Sequence, residues 1–479
     1  MSFSDNPNAE RDWEIIRDPN TSDLEKAHAY SRLSFYHYQW KNENETGLRY
    51  AEQAERLFRK VGDTKNVGDS LYHAGETSFR MKKYTKALDY YSKAADIFRS
   101  EFDQFYLAIC VDRMGNCYIK LDQTDLGVQH YRNSALILEG EENWKDAADE
   151  RMSAADTLND EGNYAEAELE ALLSISLIDK TESNEGYARA YNLLGRAYQG
   201  QGQYDLAIEK FDIAIANGDY EDEQMYLHAS RWHKAECLYE LGKLDECETN
   251  ISLARKGFKK EQFGVGRAYC DFLEAKLAFR ASNNEKAEAL AQKSRGFMAH
   301  GDKANTAEID HLLAEISLSN GNSEQAIERY EIALVSLSKL SNPKAKQYEV
   351  CIDYAAVLIT TPQLQRVIDV LDLVPHVDFL APKYQIVSNN LRARAHYLLS
   401  QFDRCLEVLE QVFAITGEDW QNRDYAYAIE TKARVLADTN APDALNTMQY
   451  AVNLLTSQGV YEARYLAQQL REMQGQQTN

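Results

Sequence analysis

Histidines, cysteines and carboxylates are the residues here that could hold a metal or move a proton, and their spacing argues that they do neither. Ten histidines are scattered along the chain, and only His228 and His233 fall close together in one helical stretch. Five residues apart, they are poorly placed to share a metal ion. Carboxylate pairs one turn apart, such as Asp156 with Asp160, could support acid–base work, but in a chain with 76 acidic residues such pairs arise freely. The seven cysteines (Cys110, Cys117, Cys237, Cys247, Cys270, Cys351 and Cys405) are odd in number, and no C-x-x-C occurs. Most sit at apolar helix positions, which reads as buried free thiols in a reducing compartment. There is no G-x-x-x-x-G-K-[ST] loop, no G-x-S-x-G elbow, no H-E-x-x-H and no G-x-G-x-x-G after a strand. Gly200-Gln201-Gly202 has no strand before it and reads as a turn. The expectation is a chain that is not an enzyme and needs neither metal nor cofactor.

The elements that would position any site are helices. None of the seven prolines lies between Pro19 and Pro343, a span hard to reconcile with a loop-rich or all-β fold and natural for stacked helices. The 479 residues allow two to four ordinary domains or one continuous array. The composition, 44% hydrophobic and 27% charged, is globular. A net charge of −23 excludes a general affinity for nucleic acid or an anionic membrane. One local basic strip interrupts it, Arg255-Lys256 with Lys259-Lys260, and its plain reading is a solvated helix end. The N-terminus lacks the basic start and apolar run of a signal peptide, and no window approaches eighteen apolar residues. The expected compartment is the cytoplasm.

Self-similarity then fixes the organisation. Gly75, Gly115, Ala155, Gly195, Ala235 and Ala275 follow one another at intervals of forty residues. A parallel series of small residues runs through Ala87, Gly127, Ala167, Ala207, Cys247 and Ala287, then Ala326. Large partners accompany it at Tyr91, Tyr131, Phe211, Ile251 and Tyr330. Turn signals fall between, at Lys83-Tyr84, Gly162-Asn163, Gly202-Gln203, Gly242-Lys243 and Gly321-Asn322. Antiparallel helices approach closely where one offers a small residue and the other fills the gap. Each hairpin keeps an apolar face that only a neighbour can cover.

The clearest unit, from Tyr187 to Ile215, has Leu194-Gly195-x-x-Tyr198 on its first helix and Ala207-x-x-x-Phe211-x-x-Ala214 on its second. It resembles the tetratricopeptide repeat. The resemblance implies an all-α, right-handed superhelical solenoid of about eleven hairpins with a C-terminal capping helix. The expected division is an N-terminal extension over residues 1–23 and a regular array over 24–340. Irregular repeats over 341–456 and a cap with frayed tail over 457–479 follow. A first pair has Phe35 and Gly47 at its small positions. The weaker downstream pairs are Ala355 with Val367, Ala393 with Cys405 and Lys432 with Ala444. Val374–Lys383 reads as a longer link. The forty-residue unit is longer than the common one, as in the Rap-type regulators, the kinesin light chains and the LGN-type scaffolds.

In that family the first helix of each repeat lines a concave groove. Residues three before, one after and four after the small position are expected to face it. They are Tyr72, Glu76 and Phe79; Asp112, Asn116 and Ile119; Met152, Asp156 and Asn159; Asn192, Arg196 and Gln199; Trp232, Glu236 and Tyr239; and Phe272, Lys276 and Phe279. The amides of Asn116, Asn159 and Asn192 could bond an extended peptide backbone, and the rings of Trp232, Tyr239, Phe272 and Phe279 could anchor apolar side chains. Positive charge is sparse (Arg189, Arg196, Lys276), so a partner with apolar and basic residues is favoured over an acidic tail. The leading expectation is a protein-interaction scaffold, with no nucleic-acid or membrane partner. A peptide-responsive receptor of the Rap kind and a structural subunit are the alternatives. The segment before Leu24 is too short for the output domains of Rap-type relatives, which counts against the receptor. Homodimerisation through the atypical terminal repeats is left open.

Overall fold

A computed structural model describes residues 7–218, 220, 223–298, 303–337, 345–373, 382–416, 423–460 and 463–477. Every regular element among them is helical. The chain divides into two compact units, Met1–Cys270 and Asp271–Asn479.

The first unit opens on α1 (Pro7–Arg17), followed by the hairpins α2 (Asp23–Tyr36) with α3 (Asn44–Val61) and α4 (Thr64–Arg80) with α5 (Tyr84–Ser100). Next come α6 (Gln104–Lys120) with α7 (Thr124–Gly140) and α8 (Trp144–Glu161) with α9 (Tyr164–Ile178). The pairs α10 (Tyr187–Gly200) with α11 (Tyr204–Asn217) and α12 (Gln224–Glu240) with α13 (Leu244–Lys260) complete it. Helix α14 (Gly264–Arg280) runs across the division, and α15 (Asn284–Met298) is its hairpin mate in sequence. The second unit continues with α16 (Lys303–Ser319), α17 (Ser323–Leu337), α18 (Ala345–Leu358) and α19 (Leu364–Leu371). It ends with α20 (Pro382–Leu398), α21 (Phe402–Thr416), α22 (Arg423–Asp438), α23 (Ala444–Ser457) and α24 (Ala463–Gln477). Helices α2 to α23 therefore make the eleven expected hairpins, with α1 and α24 at the ends. The link expected at Val374–Lys383 lies outside the described residues up to position 381, and α20 begins at Pro382. Pro at a helix start loses no hydrogen bond.

The small–large rule is visible as contact. A Cβ on Gly75 would meet the Tyr91 ring at 2.6 Å, and one on Gly195 would meet the Phe211 ring at 2.5 Å. Tyr91 and Phe211 are fully buried, and each such ring contributes about 2 kcal/mol of apolar burial. Between hairpins the core is continuous: Phe58, Leu71, Phe98 and Leu107 share one cluster, and Met152, Leu177, Leu193 and Leu194 another. In the second unit Tyr330, Tyr354, Val367 and Leu371 pack together, and Met448, Leu455 and Leu466 close the C-terminal end under α24.

The helix ends repeat as regularly as the cores. Left-handed residues stand at Gly62, Lys82, Phe102, Asp122, Glu142 and Gly162, each twenty residues from the last. At Lys82 the closure has its paired bonds, Lys82 N to Phe79 O at 2.8 Å and Lys83 N to Ser78 O at 2.9 Å. The bonds satisfy carbonyls that the helix end leaves open. Asp63 and Asp103 then cap the following helices through Asn66 N and Tyr106 N.

Candidate functional site

On α8 one stripe of side chains reaches solvent and the adjoining stripe does not. In α8 the exposed stripe is Asp149, Ser153, Asp156 and Asp160, and the carboxylates are 50%, 49% and 68% exposed in that order. These positions lie six before, two before, one after and five after Ala155. Met152 and Asn159, three before and four after, are buried. In α10 Arg189 and Arg196 occupy the outer stripe, and Asn192 is buried.

Asp156, one after the small residue of α8, thus reaches the surface, whereas Met152, Asn159 and Asn192, three before or four after theirs, turn onto neighbouring helices. The amide of Asn159 donates to the Leu193 carbonyl at 3.0 Å, and that of Asn192 to Ser230 Oγ at 2.9 Å. Asn116 donates to Asp112 Oδ1 at 3.0 Å and accepts from Tyr131 Oη at 3.3 Å. The expected asparagine ladder for a peptide backbone is corrected: these amides tie helices together. Among the rings, Trp232 stacks on Tyr269 with centroids 4.8 Å apart, and Phe79 meets Tyr84 edge-on at 5.3 Å. Phe272 is buried with Lys276 5.7 Å from its centroid. Tyr239 and Phe279 are half-buried. Trp232 and Tyr239 belong to the first unit, Phe272 and Phe279 to the second.

Four of the expected residues do converge. Tyr72, Glu76, Asp112 and Asn116 surround Arg113, a residue the expected offsets omit. Arg113 Nε lies 3.0 Å from Glu76 and its Nη1 2.8 Å from Asp112. Tyr91 Oη donates to Glu76 at 2.7 Å. Burial works against the Arg113 cation, but Asp112 and Glu76 outweigh it and hold its pKa above the ordinary value. Burial raises Asp112, against the pull of Arg113. Glu150, hydrogen-bonded to Asp112, is pushed up to about 9 by burial and by the Asp112 charge. Glu150 therefore carries its proton at neutral pH, as one of two adjacent carboxyls must.

Further along, Arg196 joins Asp156 at 2.5 Å and Asp160 at 2.7 Å, and Arg189 reaches Asp149 at 3.4 Å. Gln199 donates to Glu236 at 3.1 Å. A cavity of about 170 Å³ opens beside these rungs, lined by Lys145, Asp149, Glu185, Gly186, Arg189 and Tyr226 among others. Gly186 has φ +98 and no side chain to cap α10; Glu223, from the next hairpin, accepts its N–H at 2.7 Å instead. Among the described residues no group of three or more His, Cys, Asp or Glu side chains could hold a metal ion. No helix among the described residues is long and apolar enough to cross a membrane.

The family model that matches the sequence is described as tetratricopeptide repeat and covers residues 68–100 and 188–216. These spans bracket the Gly75–Tyr91 and Gly195–Phe211 contacts. Two stretches of the chain thus match the tetratricopeptide repeat. Its fold is similar to that of the apo quorum sensor NprR from B. thuringiensis, at 15% identity and a TM-score of 0.51, covering 68% of this chain and 91% of that one. It is also similar to aspartyl phosphate phosphatase F from Bacillus subtilis, at 17% identity and a TM-score of 0.51, covering 70% and 88%. No curated protein matches the sequence. Within this repeat array, Arg113, Ser153 and His233 all stand two residues before the small position. Asp149 and Arg189 stand six before it. The forty-residue register that located the small residues also marks these positions.

Proposed function

We propose that this protein is a non-catalytic interaction scaffold whose first-helix face, concave in such repeats, takes a segment of a partner protein. The observation that carries the reading is the exposed stripe of α8, with the side chains of Asp149, Asp156 and Asp160 50%, 49% and 68% open to solvent. Arg189 and Arg196 hold these carboxylates in place along the stripe. A partner with basic side chains on an extended or helical segment fits such a stripe, since charge complementarity selects and orients it. Exposed aromatic anchors play a smaller part than the sequence suggests, because Trp232 and Phe272 pack within the protein.

A peptide-responsive receptor is the second reading, and the likeness in fold to the quorum sensor NprR favours it. Affinity capture from the native lysate tests both, comparing wild type with an Asp156→Lys/Asp160→Lys variant whose helicity is checked by circular dichroism. Proteins retained by wild type and lost by the folded variant support the scaffold. Co-purifying short peptides shift the reading to the receptor. Retention unchanged by the variant removes the first-helix face as the working surface.

A further inference from the structure

The turn between α5 and α6 carries a ring that its own fold does not use. Phe102 stands at φ +57, where a bulky side chain crowds its own backbone. Equivalent closures hold glycine or a polar residue, such as Gly62, Glu142 and Gln262. The Phe102 ring is 84% exposed, the most exposed large apolar side chain among the described residues. Phe105, at the start of α6, is 45% exposed, and below it Tyr106 stacks on buried Phe98 at 5.2 Å. Two rings thus project from a firm base. The nearby cations are already paired, Lys65 with Asp103 and Arg99 with Asp96. Glu101, and Glu141 and Glu142 in the equivalent turn of the next hairpin, are exposed and form no ion pair among the described residues, so the uncompensated charge is negative.

The opposite combination lies four hairpins further along, at the turn between α13 and α14. Lys256, Lys259 and Lys260 are exposed, and Leu253, Phe263 and Val265 beside them are 41%, 36% and 37% exposed. Lys260 approaches Glu261 only to 3.7 Å. Both turns lead from a second helix into the next first helix, so both features lie at the same end of the hairpins within the first unit.

We infer that these features are the two halves of one contact, and that the first unit pairs with a second copy of this chain. Each copy seats its Phe102 tip on the other's patch around Leu253 and Lys260. A net charge of −23 opposes self-association over most of the surface; here opposite charges meet, and the apolar side chains on both sides leave water together. Because each copy carries both halves, a two-fold arrangement makes both contacts at once and closes on itself.

Sedimentation velocity on the full chain tests this across protein concentration at low and high ionic strength. The expected result is a concentration-dependent dimer that high salt weakens. Phe102→Gly removes the ring and relieves the left-handed crowding, so it should weaken the dimer about tenfold or more while leaving the melting temperature no lower than wild type. Glu141→Lys/Glu142→Lys and Lys259→Glu/Lys260→Glu should each be monomeric alone, because like charges then face each other. Mixed together they should form a heterodimer, since both contacts regain opposite charges. A chain that stays monomeric at every concentration overturns the inference and leaves the tip for a different protein. A dimer indifferent to Phe102→Gly and to the charge reversals overturns it equally.

Discussion

Glu150 is a carboxyl that the fold keeps protonated, and this makes the stability of the array depend on pH. Its folded pKa of about 9 lies above the ordinary 4.5. The folded chain therefore holds a proton that the unfolded chain releases between those values. The contribution to stability is complete below pH 4.5 and is lost as pH rises toward 9. Glu150→Gln mimics the protonated group without titrating. It should match wild type near pH 4.5 and exceed it at pH 9 by on the order of 1–3 kcal/mol, measured by chemical denaturation at a series of pH values. An unchanged alkaline slope in the variant contradicts the assignment. His228 acts in the other direction. It is buried, neither ring nitrogen has a protein partner, and burial lowers its pKa. Stability should fall as pH drops below about 6.5, and His228→Leu should flatten that part of the profile; a slope that persists would assign the acid sensitivity elsewhere.

At the scale of the helix, His228 shows how the repeat tolerates an exchange of roles. In α4 and α5 the first helix offers Gly68 and the second fills the space with Phe98 and Ile97, 3.0 and 3.1 Å from where a Gly68 Cβ would stand. In α12 and α13 the exchange is complete: the second helix offers Gly257 and the first fills it with His228, 2.2 Å from an added Cβ. Gly257→Ile alone should be destabilising by about 1–3 kcal/mol through overpacking, and His228→Ala alone should leave a cavity. Together they recreate the Ala108/Ile137 combination of α6 and α7. The double variant should be at least 1 kcal/mol more stable than the two single effects predict, a coupling that a double-mutant cycle measures; additive effects would contradict the exchange. Such pairs explain what the sequence made legible. The small residues at forty-residue intervals from Gly75 to Ala275 revealed the central hairpins because close packing there favours Gly or Ala, while the pairs at Phe35, Val367, Cys405 and Lys432 were carried by register alone. Turns with Gly162, Gly202 and Gly242 were equally readable, whereas those closed by Phe102, Glu142 and Gln262 carried no glycine to mark them. The exposed face was read one position off at its flanks. Periodicity separates apolar from polar stripes, but Asn159 and Asn192 are polar residues on the stripe that meets the next hairpin. Arg113 was invisible for a related reason: its importance comes from Glu76 and Asp112 on two different helices.

At the scale of the whole chain, like charge is the dominant electrostatic fact, with 76 acidic against 53 basic residues. Many of the cations are already committed. Arg132 and Arg151 hold the buried Glu170 at 2.6 and 3.1 Å, and Arg295 with Arg329 holds the fully buried Asp310 at 2.7 and 3.4 Å. Removing Glu170 would leave Arg132 with Glu166 and Arg151 with Glu139 as remaining partners, so Glu170→Ala should cost the lost charge-assisted bonds, about 1–3 kcal/mol in chemical denaturation. A near-neutral result would mean that those remaining partners suffice. The remaining acidic surface repels itself and attracts basic ligands. Where such a ligand lands is read directly by carbodiimide labelling of exposed carboxylates, with and without a captured partner. The expected result is strong protection of Asp149, Asp156 and Asp160 on α8, with little change at Glu209 and Asp212 on α11. Protection of the α11 carboxylates with α8 left reactive would contradict the first-helix face as the binding surface.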